Sequence, residues 1–281
     1  MSRRRRRLDV VLVDRGLAAS RTAAQDLIVA GRVTVGGAPA GKAATLVAAD
    51  AAVVVAEEGQ RWASRGGAKL DGAIARLGVD VAGCRVLDAG AAHGGFTDVL
   101  LARGAATVVA VDVGYGQLPW RLATDPRVQV LDRTNVRHLT AESVGAPVDL
   151  IVADLSFISL TLVLPALWSV ATPQGEGVLL VKPQFEAGRD AVGRDGVVRD
   201  PAVWRAALER VVGAAAACGL ALVAAVPSPL RGPAGNVEFF VQLRPTAGAP
   251  TVAPPSPSPA TVPDPATLLT RVVQEVTPRR A

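Results

Sequence analysis

Short apolar runs, each closed by a charged residue, recur through the middle of the chain. They cover residues 85–88, 107–112, 128–131, 148–153 and 177–181, and end at or next to Asp88, Asp112, Asp132, Asp154 and Lys182. Runs this short, with little polar alternation, suit strands buried on both faces of a parallel sheet. Helical spacing fills the gaps: from Phe96 to about Arg103-Gly104, from about Ser159, and over 201–217 behind Asp200 and Pro201. Two further runs, 220–226 and 238–243, bring the strands to seven. The pattern predicts an α/β fold with a doubly wound sheet. Its charged residues stand at strand C-termini, where open α/β sheets bind ligands. Residues 186–200, glycine-rich with alternating charge, are too long for a plain connection and predict a lid.

The two ends read differently. Leu8, Val11 and Leu12 mark one face of a short helix stopped by Gly16. Ser20 caps a second helix over 21–30, with Ala24, Leu27 and Ile28 at helical spacing and Gly31 just past its end. Residues 32–35, the Gly36-Gly37 turn and 38–39 form a hairpin, and 53–55 adds a strand. Residues 1–58 therefore make a small basic α+β domain. Residues 59–67 have no periodicity and read as a linker whose lone Trp62 packs on one domain. The α/β domain spans 68–245 and opens on a helix over 68–77 with Lys69 near its start. Residues 246–281 are a Pro/Ala-rich tail ending in a short amphipathic helix (Leu268, Leu269, Val272, Val273, Val276) that docks on the body or on a partner. Two uncharged stretches, 155–175 and 211–230, reach the roughly 20 residues of a membrane span. Both are broken by Gly or Pro and parse better as helix, turn and strand.

Composition sharpens this. Half of the 281 residues are hydrophobic and only 4% aromatic, so the core is built from Ala, Val and Leu. A net charge of +5 favours an anionic partner. Arg3, Arg4, Arg5, Arg6, Arg7, Arg15, Arg21 and Arg32 give the first domain a basic face suited to folded RNA, and Arg65 and Arg133 extend the set. Without RNA, the run before Leu8 reads as a solvated tail. Cys84 and Cys218 form no C-x-x-C, and His93 and His138 are the only histidines, so zinc and iron–sulfur sites lack ligands and no metal is expected. A reducing cytoplasm is the simplest location.

The chemistry gathers on the turn after the first strand of the α/β domain. Asp88, Gly90, Gly94, Gly95 and Phe96 spell D-x-G-x-x-x-G-G-F. The spacing is not the G-x-G-x-x-G of a dinucleotide fold and reads better as an S-adenosylmethionine (SAM) turn. Asp112 can accept ribose hydroxyls, Asp132 an adenine amino group, and Asp154 closes the fourth strand beside them. No Pro-Pro follows Asp154, as amine methylation would want, and no cysteine stands there for attack on a cytosine ring. Only Lys42, Lys69 and Lys182 interrupt an otherwise all-arginine basic set. Lysine can give up its proton where arginine cannot. Lys69, Asp154, Lys182 and Glu238 suit a ribose 2′-hydroxyl, a poor nucleophile that needs a base and firm orientation. Lys182 is the base in this reading, with the others orienting.

Q-R-W-A-S-R-G-G-A-K-L, D-A-G-A-A-H-G-G-F-T-D-V-L-L, V-D-V-G-Y-G-Q-L, D-R-T-N-V-R, D-L-I-V-A-D-L-S-F-I-S-L, L-V-K-P-Q-F-E and G-N-V-E together resemble the TlyA (haemolysin A) family, over about residues 3–244. The resemblance implies a SAM-dependent ribosomal RNA 2′-O-ribose methyltransferase acting on cytidines of 16S and/or 23S rRNA. It implies an RNA-binding domain of the ribosomal protein S-four type at 3–58. Lys69, Asp154, Lys182 and Glu238 match the family's catalytic set. The basic arm is similar to that of members acting on both subunits. Ala92-His93 departs from the family's Ser-Thr, and the chain runs on beyond the family's usual end. Three other readings remain: an S-four-domain pseudouridine synthase, a pore-forming haemolysin, and a ribosome-binding module without methyltransferase activity.

Overall fold

Each apolar run becomes a strand because helices cover both of its faces. The computed structural model describes residues 5–29, 31–48, 50–55, 61–188, 191–246 and 264–277. The first domain runs β1 (Arg6–Arg7), α1 (Leu8–Asp14), α2 (Arg21–Val29), β2 (Val33–Val35), β3 (Ala38–Pro39), β4 (Leu46–Val47) and β5 (Val53–Val55). β3, β2 and β5 form an antiparallel sheet, and β1 pairs with β4. Leu8, Leu12, Ala24, Ile28 and Val33 fill its core. Ser20 Oγ accepts the Ala23 N–H at 3.1 Å, as a cap does. Part of the basic arm is not a free tail: Arg6 and Arg7 pair with Val47 and Leu46. Arg3 and Arg4 lie outside the described residues.

α3 (Arg65–Leu77) begins three residues earlier than its spacing suggested. Glycine hid the start, since Gly66 and Gly67 are poor helix formers. They serve close packing instead: a Cβ on Gly67 would come within 2.9 Å of the Gly95 carbonyl. Trp62 is buried against the main domain with Leu70, Ile74 and Phe96.

The main domain continues β6 (Arg85–Ala89), α4 (Gly95–Ala102), β7 (Thr107–Val111), α5 (Trp120–Ala123), β8 (Val128–Leu131), α6 (Ala141–Val144), β9 (Val148–Ala153), α7 (Leu164–Trp168), β10 (Ala171–Val181), α8 (Pro183–Glu186), α9 (Pro201–Ala217), β11 (Leu220–Pro227) and β12 (Phe239–Pro245). The seven strands lie in the order β11-β12-β10-β9-β6-β7-β8. β12 is antiparallel to both of its neighbours, and the paired central strands are parallel. The sheet order turns between β6 and β9, which brings the ends of both strands to one crevice.

Both membrane-span candidates dissolve into short elements. Residues 155–175 hold a loop, two helical turns and the start of β10, and 211–230 hold the end of α9 and β11. Among the described residues no helix is long and apolar enough to cross a membrane. The terminal helix α10 (Pro265–Val276) docks on the body, burying Leu269, Val272 and Val273 against α9 and β11. In the expected lid, the C-terminal half is tied down. Asn236 Oδ1 accepts from Val198 N and its Nδ2 donates to the Gly196 carbonyl, both at 2.9 Å. Residues 189–190 of that segment lie outside the described residues.

Candidate active site

Two clefts open at the C-terminal edge of the sheet and share Gly90, Ala92, Asp154 and Ser156. The larger, about 510 Å³, runs between Asp112, Gln117, Asn135 and the 155–158 loop. Among the described residues, Asp112 and Asp154 are the only charged ones in its lining. The smaller, about 270 Å³, is lined by Arg65, Lys69, Lys182 and Arg231 against the single carboxylate of Asp154. An acidic cleft thus meets a basic one across four residues.

The glycine turn makes this meeting point. Gly90 has φ +88°, and a Cβ there would sit 2.7 Å from the Asp154 carbonyl oxygen, so the β6 and β9 ends touch through backbone. Gly95 packs against α3 in the same way, its missing Cβ 2.7 Å from Gly67 N. Asp112 Oδ2 accepts the Ala92 N–H at 2.9 Å and Oδ1 that of Gly114 at 2.7 Å. That bond holds Ala92 at φ +41°, a conformation uncommon for a residue with a side chain. Ala92 thus meets Asp112 through its backbone, and His93 lines a separate cleft with Arg32 and Arg121.

The acidic cleft fits SAM by its donor set. Asp112 lines the cleft at the end of the strand after the turn, where a ribose binds, and a carboxylate has acceptor sites beyond the two it uses. The lining carries negative charge only, which suits a cationic sulfonium. Gly90, Ala92, Asp112 and Asp154 line the cleft; Asp88, Gly94 and Asp132 do not. Asp132 Oδ2 is turned under the 112–117 loop to accept Gly116 N–H at 2.9 Å, and Thr134 and Asn135 line the wall in its stead. Gly94 packs on Leu122, and Gly95 and Phe96 face the basic cleft. Asp88 is fully buried beneath the turn. Its Oδ2 accepts the Thr97 hydroxyl at 2.7 Å, and its Oδ1 has no partner among the described residues. Burial pushes its carboxyl up to about 7, partly offset by the Thr97 bond.

In the basic cleft, Lys182 at the end of β10 places Nζ 2.6 Å from Asp154 Oδ1 and 2.9 Å from Ser156 Oγ. Lys69 Nζ lies 2.5 Å from Glu238 Oε2. Glu238 is buried behind Lys69, with Gly232 packed so closely that a Cβ would come within 2.6 Å of its Oε1. Lys69, Asp154 and Lys182 line one cavity, and Glu238 reaches it through Lys69.

Sequence reading missed several residues here. Ser64, Ser156, Arg231 and Pro233 line the basic cleft. Ser156 stands two residues after Asp154, the nearest thing to a signal; Arg231 is one arginine among many. Exposed aromatic rings also border the site. Phe157 is 92% exposed with φ +63°, its ring 5.2 Å from that of Phe185. Tyr115 lies under the Arg133 guanidinium at 4.3 Å.

The other arginines are scattered over both domains. Arg5 is exposed, and Arg6 pairs with Asp14 at 2.5 Å. Arg7 and Arg21 converge on buried Asp9 at 3.0 and 2.8 Å, and the Arg7 bond above all holds that carboxyl well below the usual carboxylate range. Arg15 donates to the Ala51 carbonyl at 2.7 Å.

Comparison with known proteins shows the family of each domain. Residues 62–245 match the FtsJ-like methyltransferase family and residues 6–53 the S4 domain. The chain is 54% identical, over 86% of its length and 90% of the relative's, to the 16S/23S rRNA (cytidine-2′-O)-methyltransferase TlyA of Mycobacterium tuberculosis. It is 37% identical to Hemolysin A of Brachyspira hyodysenteriae, over 84% of its own length and 99% of the relative's. A solved structure of a hemolysin-like protein from Streptococcus thermophilus superposes with a TM-score of 0.69 at 34% identity, covering 98% of each chain.

Proposed function

The chain belongs to the TlyA family of FtsJ-like methyltransferases, and from that premise we propose that it methylates the ribose 2′-hydroxyl of cytidines in 16S and/or 23S ribosomal RNA, with SAM as methyl donor. The observation that carries this is the junction of an acidic cleft and a basic one at Gly90, Ala92, Asp154 and Ser156. A cationic donor suits the first, a phosphate-bearing acceptor the second, and the reacting atoms meet at the shared wall.

Asp112, Gly90, Ala92 and Asp154 would hold the cofactor. When bound, SAM supplies an electrophilic methyl group. Lys182, in its neutral amine form, takes the proton of the 2′-hydroxyl as the oxygen becomes nucleophilic. Asp154, 2.6 Å away, stabilises the ammonium so formed, and Ser156 fixes the amine from another side. Lys69, held by Glu238, presents a positive charge toward the hydroxyl oxygen. Arg65 and Arg231 meet the flanking phosphates, and the rings of Phe157 and Tyr115 offer faces on which bases stack. The S4 domain, with Arg15, Arg21 and the basic arm, adds the sequence-independent part of rRNA affinity. In this reading the domains keep the limits 1–58, 59–67, 68–245 and 246–281, with α3 reaching back to Arg65 and α10 docked on the main domain, and the ribosome as substrate suits a cytoplasmic location.

The test is incorporation of labelled methyl from SAM into ribosomal subunits, with ribose positions mapped by mass spectrometry. Lys182→Ala should abolish incorporation while SAM still binds. Lys182→Arg should be equally inactive, since arginine keeps its proton. Full activity in either variant, or methyl found only on bases, rejects the mechanism.

A further inference from the structure

The segment after β9 and the segment after β10 are joined at more points than methyl transfer itself explains. Asp154 and Ser156 meet Lys182, and Phe157 meets Phe185. The last joint is Glu186. Its Oε2 accepts the Ser159 hydroxyl at 2.5 Å and its Oε1 the Leu160 N–H at 2.8 Å. Between the Lys182 joints and this one stands Phe157 at φ +63°, a conformation in which a bulky side chain is strained. Such a conformation persists only when its surroundings impose it. The fixed points on the C-terminal side are the two bonds to Glu186.

Glu186 is 97% buried, near Ala206, Ala207 and the chain of Arg210. Burial pushes its carboxyl up, against the two bonds it accepts. An apolar side chain would carry no such desolvation penalty in that setting. The carboxylate is favoured there by its two bonds to 159–160 and, to a smaller degree, by the charge of Arg210. α8 is itself held from behind, because Arg210 donates to the Glu186 carbonyl at 2.6 Å. Glu186 is thus a fixed post, and the 154–159 loop is what it holds.

We propose that Glu186 is a positioning residue for the reaction: by gripping Ser159 and Leu160 it imposes the strained turn at Phe157, and so keeps Ser156 where it orients the Lys182 amine. This rests on Lys182 being the base. Glu186 lines neither of the two joined clefts and touches no reacting atom; it acts through the loop. Loosening the loop should blur the direction of the Lys182 lone pair and leave the Asp112 side of the cofactor cleft intact.

The experiment measures methyl incorporation into ribosomal subunits, SAM affinity by calorimetry and the thermal midpoint for wild type, Glu186→Ala, Glu186→Gln and Phe157→Gly. Glu186→Ala should lower kcat at least thirtyfold, with KM for RNA and SAM affinity within threefold of wild type. Glu186→Gln keeps an acceptor for Leu160 N–H and should recover to within about fivefold of wild-type kcat. Glycine relieves the strain, so adding Glu186→Ala to Phe157→Gly should lower kcat less than threefold further. Wild-type kcat in Glu186→Ala, failure of Glu186→Gln to rescue, or the full thirtyfold effect on the Phe157→Gly background overturns the positioning role. An inactive wild type removes its foundation, the proposed function itself, and is read in the same assay.

Discussion

At the scale of single residues, the site depends on carboxylates with different tasks set by their surroundings. Asp154 and Glu238 are paired with lysines, Asp112 holds backbone amides, and Asp88 lies buried with one oxygen unpartnered. Asp88 makes a pH prediction. Its carboxyl stands at about 7 in the folded protein, against about 4 for an ordinary aspartate. A folded state that binds the proton more tightly draws stability from it at low pH. That contribution is complete below about pH 4 and is lost as pH rises to about 7, a change of a few kcal/mol at ~1.4 kcal/mol per unit. Urea midpoints of wild type and Asp88→Asn, taken from pH 4 to 8, should therefore diverge. The wild type loses stability relative to the variant as pH rises, and parallel curves would show that Asp88 ionises normally. Most of the site residues were legible, because acids and lysines that close apolar runs fall at strand ends. Asp132 was read as a cofactor residue by the same logic; it does not line the cleft, and its Oδ2 accepts Gly116 N–H, a contact between loops sixteen positions apart that strand-end position does not reveal.

At the scale of elements, short buried strands and capped helices were readable and glycine-dependent contacts were not. The spacing of α9 and its Asp200 cap appear in the structure with the expected bounds. α3 starts earlier than expected because Gly66 and Gly67 are present for contact with α4, not for helix propensity. The early start matters, since it brings Ser64 and Arg65 to the wall of the basic cleft with Lys69. α10 presented an apolar stripe with no stated target; the target is α9 and β11. Leu269, 1% exposed in the main core, should lose about 2–4 kcal/mol on change to alanine. Thermal unfolding would register this as a lower midpoint of the whole domain. An unchanged midpoint would mean that α10 is not part of the cooperative unit.

At the scale of the whole molecule, the S4 domain and the methyltransferase domain meet at the Gly36-Gly37 turn, where Trp120 N–H donates to the Gly37 carbonyl. A third cleft of about 200 Å³ lies between them, lined by Arg32 and Thr34 on one side and Trp62, His93 and Arg121 on the other. RNA affinity in such an arrangement is shared between domains. Removing residues 1–58 should weaken rRNA binding and flatten its dependence on salt, because fewer phosphates are neutralised. SAM affinity, which the proposed function places in the other domain, should stay within threefold. Titration of full-length and shortened protein across 50–300 mM salt measures both, and identical salt slopes would rule out the S4 domain as the main electrostatic contact.

Local sequence is enough to decide which segments become strands, where the strands end, and the residue types available at those ends. These are local properties: burial on both faces imposes an apolar run, and a ligand-facing end permits charge. Tertiary structure alone decided which of those ends touch. Lys69 and Glu238 come from opposite ends of the main domain and meet because β12 inserts antiparallel beside β10 while glycines let α3 press against α4. The separation of an acidic cleft from a basic one was likewise invisible along the chain, since a net charge of +5 says nothing of where each sign collects. Only the folded sheet, by carrying Asp112 to one side of Asp154 and Lys182 to the other, makes a composition into a site.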